Sequence, residues 1–246
     1  MATFILVPGG WSASWVYKNQ VDVLEAAGHT VIALDCPGHG NNKEKYKPGE
    51  EGLAEHVQCI KDALPKEGKA ILVAHSMTGM AISQVAEDCP DKVEKLVYLA
   101  AFMPEADGVA MIKYMAEDPW TMISPESVNT EVEPDEELNR FESLYLRNLA
   151  FGTCSDEAWE FALTHLEDEG DKIWSDPVHI SRNFALVPKI YVHTLKDNCC
   201  SYYIQRVMVA RQPVVKEYYL DTDHFCMLSD PEGVNKILLE VAETEY

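Results

Sequence analysis

The chain has 246 residues, 47% of them apolar, which is enough for one α/β domain with a sizeable core and argues against disorder. Its 41 acidic and 20 basic residues give a formal charge of -21, so the surface repels phosphate backbones and anionic membranes. Nucleic acid and membrane partners are therefore not expected. Part of the acidic excess lies in EVEPDEE at 131–137 and EDEGD at 167–171, which we interpret as solvated faces of an insertion.

Cysteine usage points to a reduced compartment. The seven cysteines are scattered, and they form neither a CxxC pair nor a Cys/His cluster with zinc-ligand spacing. No metal and no cofactor are expected. The apolar run in MATFILVPGG is too short for the hydrophobic region of a signal peptide, so we expect a cytoplasmic protein. A homodimer is among the oligomeric states that the sequence leaves open.

Short apolar runs alternate with amphipathic segments along most of the chain. Strands are predicted at 4–8, 30–35, 70–75, 95–101, 189–194 and 214–220. Helices are predicted at about 15–27, 51–64, 77–88, 201–211 and 231–244. Near-continuous runs of Val, Ile and Leu are typical of strands covered on both faces. The order therefore predicts a mostly parallel sheet sandwiched by helices.

The alternation stops between residues 105 and 186. This stretch is rich in Glu, Asp, Trp and Met and has helix-like patches at 137–149 and 155–166, but no convincing strand. A loop of that length without its own structure would be unusual in a compact domain. We therefore predict a helical cap at 105–186, inserted into an α/β core formed by residues 1–104 and 187–246. Such a cap would cover a pocket at the strand ends.

Three polar residues follow predicted strands: Ser76 after AILVAH, Asp197 after KIYVHT and His224 after VVKEYYL. In open parallel sheets, ligands bind beyond the carboxyl ends of the strands. A serine hydroxyl becomes a nucleophile when a neutral imidazole accepts its proton, and a carboxylate holds that imidazole in the required tautomer. Each residue alone has a simpler explanation, such as a helix N-cap or a turn. Their joint position predicts a catalytic Ser-His-Asp set, and the chain order is that of the α/β-hydrolase fold.

Backbone donors for an oxyanion are expected next to these residues. Met77 follows the serine, and Gly10 lies in the glycine-rich segment PGGWSASW after the first strand. Glu105, which follows the strand before the cap, competes as the partner of the histidine, whereas Asp221 and Asp223 lie too near His224 in sequence to be the usual orienting partner. An apolar substrate pocket is predicted, and plain core packing is the alternative for each lining residue. The predicted lining residues are Trp11, Met77, Phe102, Trp120 and Phe225.

Several segments together resemble the α/β-hydrolase superfamily: FILVPGGWSASW, LEAAGHTVIALDCPGHG, HSMTG, YLAAFMP, TLKDN and DHFCMLSDPEGVNKILLEVA. More narrowly, they are similar to the branch of hydroxynitrile lyases, plant methylesterases and related bacterial esterases. The resemblance covers both sheet-forming halves and is weak across the cap. It implies that Ser76 is the nucleophile, His224 the base and Asp197 its orienting acid, with Gly10 and Met77 as oxyanion donors.

The chain departs from the lyases of that branch at two positions. The lyases carry a lysine after the histidine and a threonine in the oxyanion loop, where this chain has Phe225 and Gly9. Cyanohydrin cleavage needs a positive group to receive cyanide, so the resemblance favours an esterase. Two further departures are Pro8, where a histidine usually stands, and Thr78, where a glycine usually follows the nucleophile by two residues.

The sequence therefore predicts a cofactor-free, cytoplasmic serine hydrolase. Its substrate would be a small carboxylic ester, cleaved through an acyl-enzyme that water releases. One alternative is a ligand sensor on the same fold with slow or no turnover. The other is a lyase that uses His224 without an acyl-enzyme. Fold alone does not choose among these activities.

Overall fold

A single six-stranded sheet forms the centre of the protein in the computed structural model, which describes residues 1–45, 51–122, 144–167, 169–170 and 172–246. The strands are β1 Thr3–Val7, β2 Thr30–Ala33, β3 Ala70–His75, β4 Val93–Leu99, β5 Lys189–Thr194 and β6 Lys216–Leu220. Every neighbouring pair is parallel, and the spatial order is β2-β1-β3-β4-β5-β6. The predicted parallel sheet is confirmed, and all carboxyl ends lie at one edge.

Helices cover both faces of this sheet. They are α1 Lys18–Ala26, α2 Leu53–Ala63, α3 Thr78–Asp88, α4 Met111–Glu117, α5 at 144–150, α6 Asp156–Leu163, α7 Lys172–Ser175, α8 Arg182–Leu186, α9 Tyr202–Arg211, α10 Cys226–Ser229 and α11 Pro231–Glu243. Local sequence fixes several of the helix starts. The Asp230 side chain accepts the Gly233 N–H at 2.9 Å, and Pro231 occupies the first turn of α11.

Strand residues alternate between two apolar clusters, one on each face of the sheet. On one face, Ile5 and Leu72 pack with residues of α2, α3 and α9. On the other face, Phe4 and Ile71 pack with residues of α1 and α11. Because both faces are covered, every residue of β3 is buried, as its continuous apolar run predicts.

The segment between β4 and β5 contains helices α4 to α8 and no strand among its described residues. Helix α6 begins within the predicted patch at 155–166, with the Ser155 side chain accepting the Ala158 N–H at 3.1 Å. The first part of the other patch, 137–143, and the acidic run 131–137 lie outside the described residues. The cap boundaries, 105–186, stay a prediction. Buried Phe151 and Trp159 join the second core cluster, so this segment also builds the core.

None of the helices within the described ranges has the length and apolar character needed to cross a membrane.

Candidate active site

The turn from β3 into α3 holds Ser76 in a left-handed conformation, with φ of 55°. This region is costly for a residue other than glycine, so the surroundings must hold the turn. The Ser76 carbonyl accepts the N–H groups of Phe102 at 2.9 Å and Gly79 at 3.2 Å, and its own N–H donates to the Leu99 carbonyl at 3.3 Å. A Cβ at Gly79 would lie 2.3 Å from the Phe102 carbonyl oxygen, so only glycine fits there.

A buried histidine-carboxylate pair lies at the ends of β5 and β6. His224 Nδ1 is 2.7 Å from Asp197 Oδ2. The same oxygen accepts the Thr194 hydroxyl at 2.8 Å, and Oδ1 accepts the backbone N–H groups of Cys199 and Cys200 at 2.8 and 2.9 Å. Because all of these partners donate, the carboxylate oxygens act as acceptors, and Oδ2 accepts a hydrogen bond from the proton that His224 carries on Nδ1. The other ring nitrogen, Nε2, is then free to accept a proton.

Ser76 and His224 line the same small cavity, of about 20 Å³, which holds little more than one water molecule. The described lining residues are Gly10, Trp11, Ser76, Met77, Phe102, Met111, Trp174, Cys199 and His224. The predicted Trp11, Met77 and Phe102 are among them. No sequence pattern identifies Met111 or Trp174 as lining residues, because they reach the cavity from α4 and α7, whose register over the sheet the sequence does not specify.

The two expected oxyanion donors lie at this cavity. Met77 stands at the start of α3, and Gly10 precedes Trp11, which has a φ of 60°. A Cβ at Gly10 would lie 3.7 Å from Met77 Sδ, so the two residues are adjacent. Within the described part of the chain, neither backbone N–H donates a hydrogen bond to the protein. Two such free donors beside a serine are suited to hold an oxyanion.

His75, which has no exposed surface, packs against His224. Its Nε2 is 2.9 Å from the His224 carbonyl oxygen, and the two ring centroids are 4.4 Å apart. Burial, together with the nearby His224, holds the pKa of His75 well below its usual range. A neutral His75 with its proton on Nε2 therefore donates to the carbonyl and fixes the backbone at His224.

The competing acids make other contacts. Glu105 bonds to Arg211 at 3.0 Å. Asp221 is a surface residue, with a side chain that is 71% exposed. Asp223 accepts the Thr153 N–H at 2.7 Å, and burial raises its pKa. None of these carboxylates is hydrogen-bonded to the imidazole of the site, so the geometry favours Asp197.

Two of the predicted pocket residues, Trp120 and Phe225, are not among the described residues that line this cavity, and their assignment stays a prediction. Trp120 is 70% exposed. Phe225 is fully buried and stacks on Phe151 at 4.2 Å between ring centroids. Its N–H donates to the Ala150 carbonyl at 3.2 Å, which fixes the start of α10 so that the ring points into the core.

One group in the described part of the chain has the spacing of a metal site. Ligand atoms of Asp197, Cys199 and His224 lie within 4.8 Å of one another. However, the carboxylate oxygens already accept the hydrogen bonds given above. Burial in the first place, and the Asp197 charge in the second, raise the pKa of the Cys199 thiol well above its usual range, which disfavours the thiolate that metals bind. This group does not fit a metal.

The protein has the features of an α/β-hydrolase fold: a parallel sheet with helices on both faces, a strained turn at Ser76 and a cavity at the strand ends. Residues 4–237 match the alpha/beta hydrolase family, and the chain belongs to that family. The resemblance to its plant methylesterase branch is also confirmed by the relatives that follow.

Three similar proteins illustrate this branch. The chain is 28% identical over 249 residues to "Putative methylesterase 11, chloroplastic" of Arabidopsis thaliana, covering 97% of the chain and 63% of that relative's length. It is 24% identical over 260 residues to norfluorocurarine synthase 1 of Strychnos nux-vomica, covering 98% and 95% of the two chains. The crystal structure of polyneuridine aldehyde esterase superposes with a TM-score of 0.82 at 21% identity, covering 99% of this chain and 100% of the other.

Proposed function

We propose that the protein is a serine carboxylesterase that uses Ser76, His224 and Asp197. The observation that carries this proposal is the placement of His224, which shares a cavity with Ser76 while its Nδ1 lies 2.7 Å from Asp197 Oδ2. That arrangement supplies a nucleophile, a base and an acid that orients the base. The methylesterase and esterase names among the relatives agree with it.

The chemistry follows from these positions. Ser76 Oγ attacks the ester carbonyl while His224 Nε2 takes the hydroxyl proton, and the N–H groups of Gly10 and Met77 stabilise the negative oxygen. The tetrahedral intermediate collapses, the C–O bond to the alcohol breaks, and His224 returns the proton to the leaving alkoxide. Water, deprotonated by the same imidazole, then hydrolyses the acyl-enzyme. Asp197 stays ionised throughout and stabilises the imidazolium.

The substrate that we propose is a small carboxylic ester. The cavity is lined by Trp11, Phe102, Met111 and Trp174, which suits an apolar acyl group, and its volume of about 20 Å³ requires these side chains to move when an ester enters. The compartment stays a prediction: the sequence favours the cytoplasm, whereas the methylesterase 11 relative is chloroplastic by name.

A fluorophosphonate probe combined with a panel of short-chain and aromatic esters tests this function. We expect stoichiometric labelling with rapid turnover, and we expect Ser76→Ala to lose both. The matched control is Ser155→Ala, which removes an exposed hydroxyl at the start of α6 and should keep both activities. Labelling and turnover that survive in Ser76→Ala would refute the assignment of the nucleophile.

A slow or non-catalytic ligand sensor is the second candidate, and the small volume of the cavity favours it. Labelling of Ser76 without ester turnover would support this candidate.

The lyase alternative is disfavoured by the structure around Gly9, the position at which the lyases carry threonine. A Cβ on Gly9 would lie 2.6 Å from His75 Nδ1 and 2.8 Å from Ser76 Cβ, so the loop has no room for a side chain there.

A further inference from the structure

A buried carboxyl group outside the proposed catalytic set packs against the oxyanion loop, the glycine-rich segment 8–15 that contains Gly10. Glu169 belongs to the segment between α6 and α7, and its side chain is only 1% exposed. Its Oε2 accepts the backbone N–H of Trp11 at 3.3 Å. A Cβ at Gly10 would lie 3.4 Å from the same oxygen, so the carboxyl group packs directly against the loop that carries the expected oxyanion donor.

The segment between α6 and α7 makes hydrogen bonds to both backbone polar groups of Trp11. The backbone N–H of Glu167 donates to the Trp11 carbonyl at 3.0 Å, while Glu169 accepts the Trp11 N–H. Trp11 has a φ of 60°, which a residue with a side chain adopts only when its surroundings enforce it. These two contacts therefore fix the conformation of the residue that follows Gly10.

A histidine completes the arrangement. His39 Nε2 lies 3.3 Å from Glu169 Oε2, and both side chains are 1% exposed. His39 Nδ1 is 3.1 Å from the Pro37 carbonyl oxygen, which can only accept, so Nδ1 carries a proton. Among the described residues, His39 Nε2 and Glu169 Oε1 have no hydrogen-bond partner, so the histidine does not stabilise an anion on Glu169 by a hydrogen bond.

The surroundings favour the protonated form of Glu169. Burial in the first place, and the nearby Glu51, raise the pKa of Glu169 to about 8, against the lowering effect of the Trp11 N–H. Burial lowers the pKa of His56 to about 4, so that ring is neutral. The titratable groups that face the pair come from the end of β2, the loop after it and the start of α2: Asp35, Cys36, Glu51 and His56.

We propose that Glu169 is a positioning residue of the oxyanion loop, and that it acts in its protonated form. This inference rests on the proposed esterase function. Oε2 of the protonated carboxyl group accepts the Trp11 N–H, which holds the Gly10 N–H towards the substrate oxygen. When the proton leaves, an uncompensated anion lies against Gly10 and opposes the negative charge of the tetrahedral intermediate.

Substitution of Glu169 separates this role from simple packing. Glutamine keeps an oxygen that can accept the Trp11 N–H but cannot ionise, whereas leucine removes the acceptor. We expect Glu169→Leu to lower kcat about 10- to 100-fold with little change in KM, because the loop is no longer held, and Glu169→Gln to keep a kcat close to that of the wild type. We also expect Glu169→Gln to abolish the loss of activity that the wild type shows as pH rises through about 8, because no anion forms there.

The experiment is a pH profile of kcat and KM for a short-chain 4-nitrophenyl ester. Glu51→Gln keeps the test open if Glu169→Gln does not fold: removing the Glu51 charge should lower the pKa of Glu169 and shift the alkaline loss to lower pH. The control is Glu160→Gln, which changes an exposed carboxylate of α6, so its profile should match the wild type.

The outcomes separate the two proposals. If the wild type hydrolyses no ester, the proposed function fails and the role of Glu169 fails with it. If the enzymes are active but the alkaline limb is the same in the wild type and in Glu169→Gln or Glu51→Gln, the positioning role alone is overturned. A Glu169→Leu variant with a raised KM and an unchanged kcat would also overturn it, because a loop donor should act in the transition state.

Discussion

Replacing Asp197 with asparagine should invert the tautomer of His224, and the structure dictates which way the new amide turns. Oδ1 of the carboxylate accepts the backbone N–H groups of Cys199 and Cys200, which cannot reverse their direction. An asparagine must therefore place its oxygen there and its NH₂ group at the position of Oδ2, facing His224 Nδ1. The other partners at that position are a hydroxyl that can rotate and an amide at the long distance of 3.3 Å.

The reversed amide donates to Nδ1 and moves the imidazole proton to Nε2, so the ring can no longer accept the proton of Ser76. In a serine triad, a wrong tautomer of this kind costs about 10⁴-fold in kcat, which corresponds to about 5 kcal/mol of transition-state stabilisation. We expect a loss of that order for Asp197→Asn. The fold should survive, because the side chain keeps its shape and its contacts with the backbone N–H groups.

Steady-state hydrolysis of the best ester measures the loss, and ¹⁵N NMR of the imidazole reports the tautomer. Asp223→Asn is the matched control. It is a buried carboxylate next to the same histidine that accepts the Thr153 N–H and does not bond to the ring, so it should lose little activity. A loss below about tenfold in Asp197→Asn, or a larger loss in Glu105→Gln, would refute the assignment of Asp197.

Three further predictions test the strained turn, the two predicted pocket residues outside the cavity and the buried acid. Gly79→Ala should cost more than about 3 kcal/mol in urea unfolding, since its Cβ would lie 2.3 Å from a backbone oxygen, whereas Gly152→Ala, with 3.8 Å to its nearest neighbour, should cost little. Phe225→Ala should cost about 3–5 kcal/mol, while Trp120→Ala should change the free energy of unfolding by no more than about 0.5 kcal/mol. The pKa of Glu169 is raised from 4.5 to about 8, so its protonated form stabilises the fold fully below 4.5 and that stabilisation is lost as pH rises through about 8. The Tm of Glu169→Gln relative to the wild type should therefore rise over that range, and parallel Tm curves would contradict the assigned protonation.

The sheet was predictable because its strands are continuous apolar runs. The runs at 70–75 and 189–194 coincide with β3 and β5. The run at 30–35 extends past β2, which ends at Ala33. The reason is Asp35, whose carboxylate accepts the N–H groups of Ser14 at 2.9 Å and Asn41 at 3.0 Å and so belongs to the loops at the strand end. Apolar periodicity detects a strand, but such a hydrogen bond across distant segments decides where it ends.

The proposed catalytic residues were accessible to sequence reasoning for the same reason, whereas the pocket was not. Ser76, Asp197 and His224 follow strands, and a parallel sheet brings the ends of its strands to one edge whatever the loops do. The lining of a cavity depends instead on the direction of individual side chains. Phe225 is adjacent to His224 in sequence, yet its ring points into the core, and Trp174 reaches the cavity from a segment with no strand to fix its register.

Glu169 shows the same limit for charge. In the acidic run at 167–171, Glu167 has a side chain that is 17% exposed and bonds to surface groups, while the Glu169 side chain is 1% exposed. Composition treats the two alike. What separates them is the loop after β1, where the Glu169 carboxyl group packs against Gly10 and the strained Trp11 presents an N–H that needs an acceptor. The proposed oxyanion loop thus has backbone donors on both of its sides, and those that face away from the substrate need a buried acceptor as much as those that face it need an oxyanion.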